Sequence, residues 1–141
     1  MKSRPNVDQW QHLGSSTNAE FYEIEAGILA VVPAEGTTDN AETATESVEF
    51  QHQHWSAKGR SGGSIIYMDQ VGHSEQGARE VYGQLPDPRL ITGFALVGGT
   101  ILGRAIGSVF IGLSRPSAPT KLFGSDTEAL AWLRQLNERA A

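Results

Sequence analysis

Short apolar stretches separated by turn residues predict most of the strands in this chain. Residues 21–25 alternate between apolar and polar side chains, and residues 28–32 are continuously apolar. The intervening turn Ala26-Gly27 predicts a β-hairpin, because a two-residue turn with glycine suits antiparallel strands. Three later apolar stretches predict further strands, the first two buried and the last one short: 64–69, 90–97 and 119–123.

Helix signals fall between these strands. Asp39, followed three residues later by Glu42, predicts the cap of a helix of about 18 residues that ends near Gly59. Ser74 predicts the cap of a short second helix. That helix ends before the Leu-Pro-Asp-Pro sequence of residues 85–88, because proline cannot continue a helix.

Two more helices are predicted in the second half of the chain. Thr100 predicts the cap of a third helix that runs to about Leu113, and Arg115-Pro116 ends it. Ser125 with Glu128 forms a capping-box pattern for a terminal helix. The apolar residues of that last helix recur at helical spacing, at Leu130, Leu133 and Leu136.

The predicted order of elements is therefore β-β-α-β-α-β-α-β-α. Strands that alternate with helices favour parallel pairing, and the hairpin adds an antiparallel edge. We expect one α/β domain with a mixed, mostly parallel sheet over residues 19–141. Residues 1–18 are polar and lack periodicity, so they predict a flexible N-terminal tail.

Composition narrows the classes of function. The chain has no cysteine, which excludes disulfides and thiolate zinc sites. The N-terminal residues have no apolar segment of the kind that a signal peptide needs, so we expect a cytoplasmic protein. A net charge of −5 argues against nucleic acid as a partner.

The charges are unevenly distributed along the chain. Residues 20–49 contain eight acids and no base, whereas residues 89–124 contain four bases and no acid. Two solvated faces of opposite sign would explain this pattern. The alternative is a basic rim that meets an anionic partner, with Arg104 as one of its members.

A membrane helix is an alternative for residues 94–113, which hold one charged residue, Arg104. Glycines at four-residue spacing (Gly99, Gly103 and Gly107) also occur in membrane helix dimers. However, Arg104 lies near the middle of the stretch, where a charge is costly, and the Gly-Gly-Thr sequence resembles a strand end followed by a helix cap. We therefore expect a buried strand, a glycine-faced helix and no membrane span.

Metal binding is not predicted. His52 and His54 are two residues apart on a predicted helix and so face different directions. His12 lies in the predicted tail, and His73 precedes the second helix. We expect no metal and no cofactor.

The start of the third helix is a candidate anion-binding site formed by Gly98, Gly99, Thr100 and Arg104. A helix N-terminus after a parallel strand exposes backbone N–H groups that favour an anion. The sequence lacks the lysine and hydroxyl pair of a nucleotide P-loop. The alternative interpretation is that the glycines permit a tight turn and close helix packing.

Four segments in the second half of the chain carry a family resemblance: Ala-Leu-Val-Gly-Gly-Thr at 95–100, Gly-Ser-Val-Phe-Ile-Gly-Leu-Ser-Arg-Pro at 107–116, Pro-Thr-Lys-Leu-Phe at 119–123 and Glu-Ala-Leu-Ala-Trp-Leu at 128–133. Together they resemble the SpoIIAA-like group of STAS-type domains. These small bacterial domains are related in fold to anti-sigma-factor antagonists and, more distantly, to CRAL-TRIO lipid-binding domains. The resemblance implies a single STAS-like domain.

Asp69, His73 and Ser74 form a candidate regulatory or ligand region. In antagonists of this fold a phosphorylatable serine follows an aspartate at the start of the second helix, and the resemblance places Ser74 near that point. The Asp-Ser-Ser-Gly signature is absent here, which favours Ser74 as a plain helix cap. The three residues also have the composition of a catalytic triad, but sequence neighbours rarely form one, and we expect no enzyme.

Two functions remain as hypotheses. The first is a non-enzymatic regulatory or protein-interaction module, binding an unknown protein partner or a second copy of itself. The second is a carrier or sensor of an apolar or anionic small ligand such as a lipid. For a homodimer, Phe50 lies off the predicted buried face of the first helix and would join the interface. Alternatively, Phe50 packs on the N-terminal residues, against Trp10 or Leu13.

Overall fold

The computed structural model describes residues 5–114 and 117–140 of the chain. The strands of these residues are β1 (Gln11–Ser15), β2 (Ala19–Glu25), β3 (Ile28–Pro33), β4 (Thr37–Asp39), β5 (Gly62–Tyr67), β6 (Val71–Ser74), β7 (Ile91–Val97) and β8 (Thr120–Phe123). The helices are α1 (Ala41–Lys58), α2 (Gln76–Gln84), α3 (Ile101–Ser114) and α4 (Asp126–Ala140), with a short 3₁₀ helix at Met68–Gln70. The prediction of an α/β fold is confirmed.

Six strands form the main sheet in the order β1-β2-β3-β5-β7-β8. The pairs β1–β2 and β2–β3 are antiparallel, and the pairs β3–β5, β5–β7 and β7–β8 are parallel. The predicted mixed sheet, with the hairpin on its antiparallel side, is confirmed. A separate two-stranded parallel sheet joins β4 to β6.

Helices cover both faces of the main sheet. On one face Leu29 and Phe94 pack in a buried cluster with Val48 of α1 and Tyr82 of α2, and the partly buried Ile106 of α3 joins this cluster. Alternate residues of the same strands face the other way, because successive side chains of a strand point to opposite faces. There Ile65, Ala95 and Val97 pack with α4, through Ala129 and Leu133.

The predicted order of elements was wrong at three places, because it lacked β1, β4 and β6. Each of these strands has three to five residues and is largely polar. Their strand character comes from hydrogen bonding to a neighbouring strand, not from an apolar period. Residues 11–15, predicted as part of the tail, form the edge strand β1 with a bulge between His12 and Gly14.

The cap of α1 lies one residue later than predicted. Asn40 is the N-cap, and its side chain accepts a hydrogen bond from the Thr43 backbone N–H at 3.0 Å. In return, the Thr43 hydroxyl accepts from the Asn40 N–H at 2.8 Å. Asp39 and Glu42 are therefore not the capping pair. The predicted end near Gly59 is confirmed, since Gly59 adopts a left-handed conformation with φ 67°.

The other predicted caps have mixed outcomes. Ser74 is not the cap of α2: it ends β6, and Glu75 is the N-cap residue without a side-chain hydrogen bond. Thr100 caps α3 as predicted, because its hydroxyl accepts a hydrogen bond from the Gly103 N–H at 2.9 Å. Ser125 and Glu128 contact each other at the start of α4 as predicted, with the Ser125 hydroxyl 3.4 Å from both the Glu128 N–H and its carboxylate.

Residues 94–113 divide between a strand and a helix. The stretch begins inside β7 and ends inside α3, which has 14 residues. Within the part of the chain that the structure describes, no helix is long and apolar enough to cross a membrane. The predicted end of α3 at Arg115 and Pro116 lies outside the described residues.

Phe50 packs inside the chain. Its ring stacks on that of Phe21, with centroids 4.1 Å apart and planes 17° from parallel. Leu13 belongs to the same apolar cluster. A Cβ added to Gly14 of β1 would lie 3.0 Å from the Phe50 ring, so the glycine makes room for it. The alternative interpretation of Phe50 is favoured, and a homodimer stays a prediction without Phe50 as its basis.

Replacing Phe50 with alanine is expected to lower the free energy of unfolding by about 1–2 kcal/mol, since it removes a partly buried ring and its aromatic stacking. Urea denaturation measures this change. Gln53→Ala, at an exposed position of the same helix, is the control and should be nearly neutral. Equal stability of the Phe50→Ala variant and the parent protein would contradict the assigned packing.

Candidate functional site

The segment from the end of β5 to the end of β6 contains all three residues of the predicted regulatory region, but the structure separates them. Asp69 lies in the 3₁₀ helix and its carboxylate binds the start of α3. His73 is exposed. Ser74 lines a pocket on the side of the sheet that α1 and α2 cover. The three side chains therefore do not assemble as a unit.

The start of α3 is occupied by the carboxylate of Asp69. One carboxylate oxygen accepts the Gly99 N–H at 2.8 Å. The other accepts the Thr100 N–H at 3.0 Å and the Thr100 hydroxyl at 2.7 Å. Asp69 is buried, with 6% of its surface exposed. The predicted anion-binding helix start thus holds an anion from the chain itself, in the position that the helix dipole favours.

Gly103 and Arg104 lie next to this contact. A Cβ at Gly103 would overlap an oxygen of Asp69, so only glycine lets the first turn of α3 come this close. The Arg104 guanidinium lies 3.4 Å from the carbonyl oxygen of Gly98, and the residue is exposed. The expectation that glycines permit close packing of the third helix is therefore supported by the geometry at Gly103.

A second feature is a pocket between the main sheet, α1, α2 and the small sheet. Its cavity has a volume of about 40 Å³. Apolar side chains form most of its walls: Ala19, Val31, Ile66, Met68, Val71 and Leu96. Five polar residues also line it: Asn18, Asp39, Ser47, Ser74 and Tyr82. Apolar walls with a few convergent polar groups are typical of small-molecule sites.

Asp39 is the acidic group of the pocket. One of its carboxylate oxygens accepts the Thr43 hydroxyl at 2.6 Å, and the other accepts the Tyr82 hydroxyl at 2.9 Å. Burial raises the pKa of Asp39 above its ordinary value, and hydrogen bonds from Thr43, Tyr82 and Asn18 offset part of that rise. Burial, together with the charge of Asp39, also raises the pKa of Tyr82 well above its ordinary value. The phenol therefore stays a hydrogen-bond donor.

Ser74 adds a second polar group to the pocket. It is the register partner of Asp39 in the pairing of β4 with β6. Its hydroxyl oxygen is buried and makes no hydrogen bond to any residue that the structure describes. Leaving a buried hydroxyl without a partner costs free energy, so a hydrogen bond from this group to a bound molecule would be favourable.

Behind the pocket, a buried polar chain ties α1 to the sheet. The Ser64 hydroxyl donates to the Gln51 side-chain oxygen at 2.7 Å, and the Gln51 amide lies 3.3 Å from the Ser47 hydroxyl. All three residues are buried. Ser47 also hydrogen-bonds with Tyr82. The back wall of the pocket is thus held by satisfied hydrogen bonds, which favours one defined shape.

The sequence reasoning missed most of this pocket. It interpreted Asp39 as a cap and did not single out Tyr82, Asn18 or Ser47. Pairing of β4 with β6 brings Asp39 and Ser74 together, and neither strand was predicted. The one available signal was the Tyr82 phenol in a short amphipathic helix, because a buried tyrosine usually has a polar partner.

The histidines lie apart from the pocket. The His52 ring accepts the Asp87 N–H at 2.9 Å, and the His54 ring lies 3.7 Å from the Glu23 carboxylate. Burial lowers the pKa of His54 from its ordinary value, and the charge of Glu23 opposes that change. Among the residues described, no group of three or more His, Asp and Glu side chains is placed to hold a metal ion.

The fold and the pocket define an α/β domain with a small site lined mostly by apolar side chains. The family model described as Domain of unknown function (DUF7793) matches residues 22–137. The chain belongs to this family. No curated protein and no solved structure matches it.

Proposed function

We propose that this domain is a non-enzymatic binding module that holds a small ligand in the pocket at Ser74. The observation that carries the proposal is the buried Ser74 hydroxyl, which has no hydrogen-bond partner among the described residues yet lines a mainly apolar cavity. Asp39 and Tyr82 lie on the same cavity and would fix the ligand's orientation.

A STAS-like fold is part of this proposal. The strands β3, β5, β7 and β8 are parallel neighbours in the sheet, in the same order as in the chain. Each leads to an α-helix, for β3 and β5 after the short strands β4 and β6. When each new parallel strand joins the same edge of the sheet through a right-handed crossover, the connecting helices all lie on one face of the sheet. The shared cluster of α1, α2 and α3 agrees with that arrangement. This regular β-α repetition supports the resemblance to STAS-type domains.

The pocket favours a small ligand over a long-chain lipid. A cavity of about 40 Å³ holds a few heavy atoms. The separated positions of Asp69, His73 and Ser74 give no nucleophile with a positioned base, which supports binding over catalysis.

The proposal also includes a regulatory role for α3, in which ligand binding changes the contact at the start of this helix. Met68 and Val71 line the pocket, and Asp69, which binds the start of α3, lies between them in the chain. A ligand that displaced these side chains would disturb the Asp69 contact. Ile101, the first residue of α3, is 92% exposed and offers an apolar contact to a protein partner.

Protein-observed NMR with a library of fragments of a few heavy atoms tests the binding proposal. We expect some fragments to shift the amide signals of Ala19, Ser74 and Leu96. Ala19→Leu, which fills the pocket, should abolish those shifts. Ala105→Leu, at an exposed position of α3, should leave them unchanged. The proposal fails if no fragment shifts pocket signals, or if Ala19→Leu has no effect on the fragments that do.

A further inference from the structure

The lining of the pocket carries an acid and no base. Asp39 is its acidic residue, and the lining residues that the structure describes include no lysine, arginine or histidine. The groups that hydrogen-bond to Asp39 are the neutral side chains of Thr43, Tyr82 and Asn18. A partly buried carboxylate is thus held by neutral donors, and an ion pair with a ligand would offset the cost of burying its charge.

Acidic side chains also lie beside the pocket, in a groove whose Tyr22 and Val32 belong to the opposite face of the sheet. A shallow groove shares Asn18, Ala19 and Pro33 with the pocket. Its lining also contains Glu20 and Glu35, and again no basic residue among those described. These acids belong to the segment 20–49, which has eight acids and no base. Glu20 of this groove lies 2.8 Å from the His12 ring, so the case for a cationic ligand rests on Asp39 and Ser74 inside the pocket.

The carboxylate of Asp39 has capacity for one more donor. An ionised carboxylate has about four lone-pair positions. Thr43, Tyr82 and Asn18 occupy three of them. The Ser74 hydroxyl oxygen offers a further acceptor on the neighbouring strand. A group with several donors and a positive charge satisfies both acceptors.

We propose that the ligand of this pocket is a small organic ammonium ion with a short apolar stem. An ammonium has three N–H donors and no acceptor, which suits Asp39 and Ser74 together. Its stem would lie against the apolar wall formed by Ile66, Val71 and Leu96. The inference rests on the proposed binding function and adds the sign of the ligand's charge. That sign differs from the apolar or anionic ligand of the second hypothesis drawn from the sequence.

Matched probes test this inference on the intact chain. The dissociation constants of n-propylammonium, n-propanol and propionate are measured by NMR titration at constant ionic strength, with potassium chloride as the balancing salt. We expect the ammonium to bind about tenfold or more tightly than the alcohol, the advantage of a hydrogen bond to a charged group. Propionate should leave the pocket signals unshifted.

Two variants test whether Asp39 causes the preference for the ammonium over the alcohol. In the Asp39→Asn variant, the dissociation constants of the ammonium and the alcohol should differ by about threefold or less. Tyr82→Phe keeps the carboxylate and removes a competing donor, so it should retain the preference even if Asp39→Asn does not fold. Equal binding of alcohol and ammonium to the parent protein overturns the inference and leaves the proposed function standing. If none of the probes and none of the library fragments binds the pocket, both proposals fail.

Discussion

Gly103→Leu is expected to lower the free energy of unfolding by about 3 kcal/mol, at the upper end of the usual cost of overpacking. The new Cβ would overlap a carboxylate oxygen of Asp69. Asp69 would have to move, and its hydrogen bonds to Gly99 and Thr100 would weaken with it. The higher helix propensity of leucine offsets only about 0.8 kcal/mol of this cost. Urea denaturation followed by circular dichroism measures the difference.

Two other positions on α3 make the test specific. At Gly107 an added Cβ would lie 3.1 Å from a methyl group of Leu122, a side chain that has room to adjust, so Gly107→Leu should cost about 1–2 kcal/mol. Ala105 is exposed, and Ala105→Leu should change stability by about 0.5 kcal/mol or less. If Gly103→Leu unfolds with the same midpoint as Ala105→Leu, the close contact between α3 and Asp69 does not exist.

The contact at Asp69 shows how far the sequence determines this site. The Asp69 region and the glycines at 98–99 were each predicted as candidate sites, but for an external ligand. Their meeting follows from topology: β5 and β7 are parallel neighbours, so the residues that follow their ends lie side by side. Periodicity identifies the two strands and gives no information on which strands become neighbours.

The elements that the sequence did not predict have a common physical cause. The strands β1, β4 and β6 are short, and their order depends on a partner strand rather than on a hydrophobic period of their own. The helix α4 was predicted closely because it carries a capping signal and an apolar face. The extent of α1 was predicted from its apolar spacing and Gly59, although the residues interpreted as its capping pair were wrong. The pocket was missed because its polar groups come from four separate elements and the turn before β2, which only the tertiary structure brings together.

Asp69→Ala is expected to lower the free energy of unfolding by about 2–3 kcal/mol. The substitution leaves the N–H groups of Gly99 and Thr100, and the Thr100 hydroxyl, without their shared acceptor. Because Gly99 is exposed, water replaces part of the loss. The cost is therefore smaller than for a wholly buried set of donors.

The effect of Asp69→Ala should be concentrated at α3. Hydrogen exchange measured by NMR should show faster exchange of the α3 amides, while the amides of β5 and β7 change only in line with global stability. Asp87→Asn is the matched control, because it alters a half-buried acid paired with the exposed Arg89 and keeps a side-chain oxygen that accepts the Arg89 N–H, so it should cost about 0.5 kcal/mol or less. If the α3 amides of the Asp69→Ala variant remain as protected as those of Asp87→Asn, Asp69 does not anchor the helix, and the proposed route from the pocket to α3 loses its physical basis.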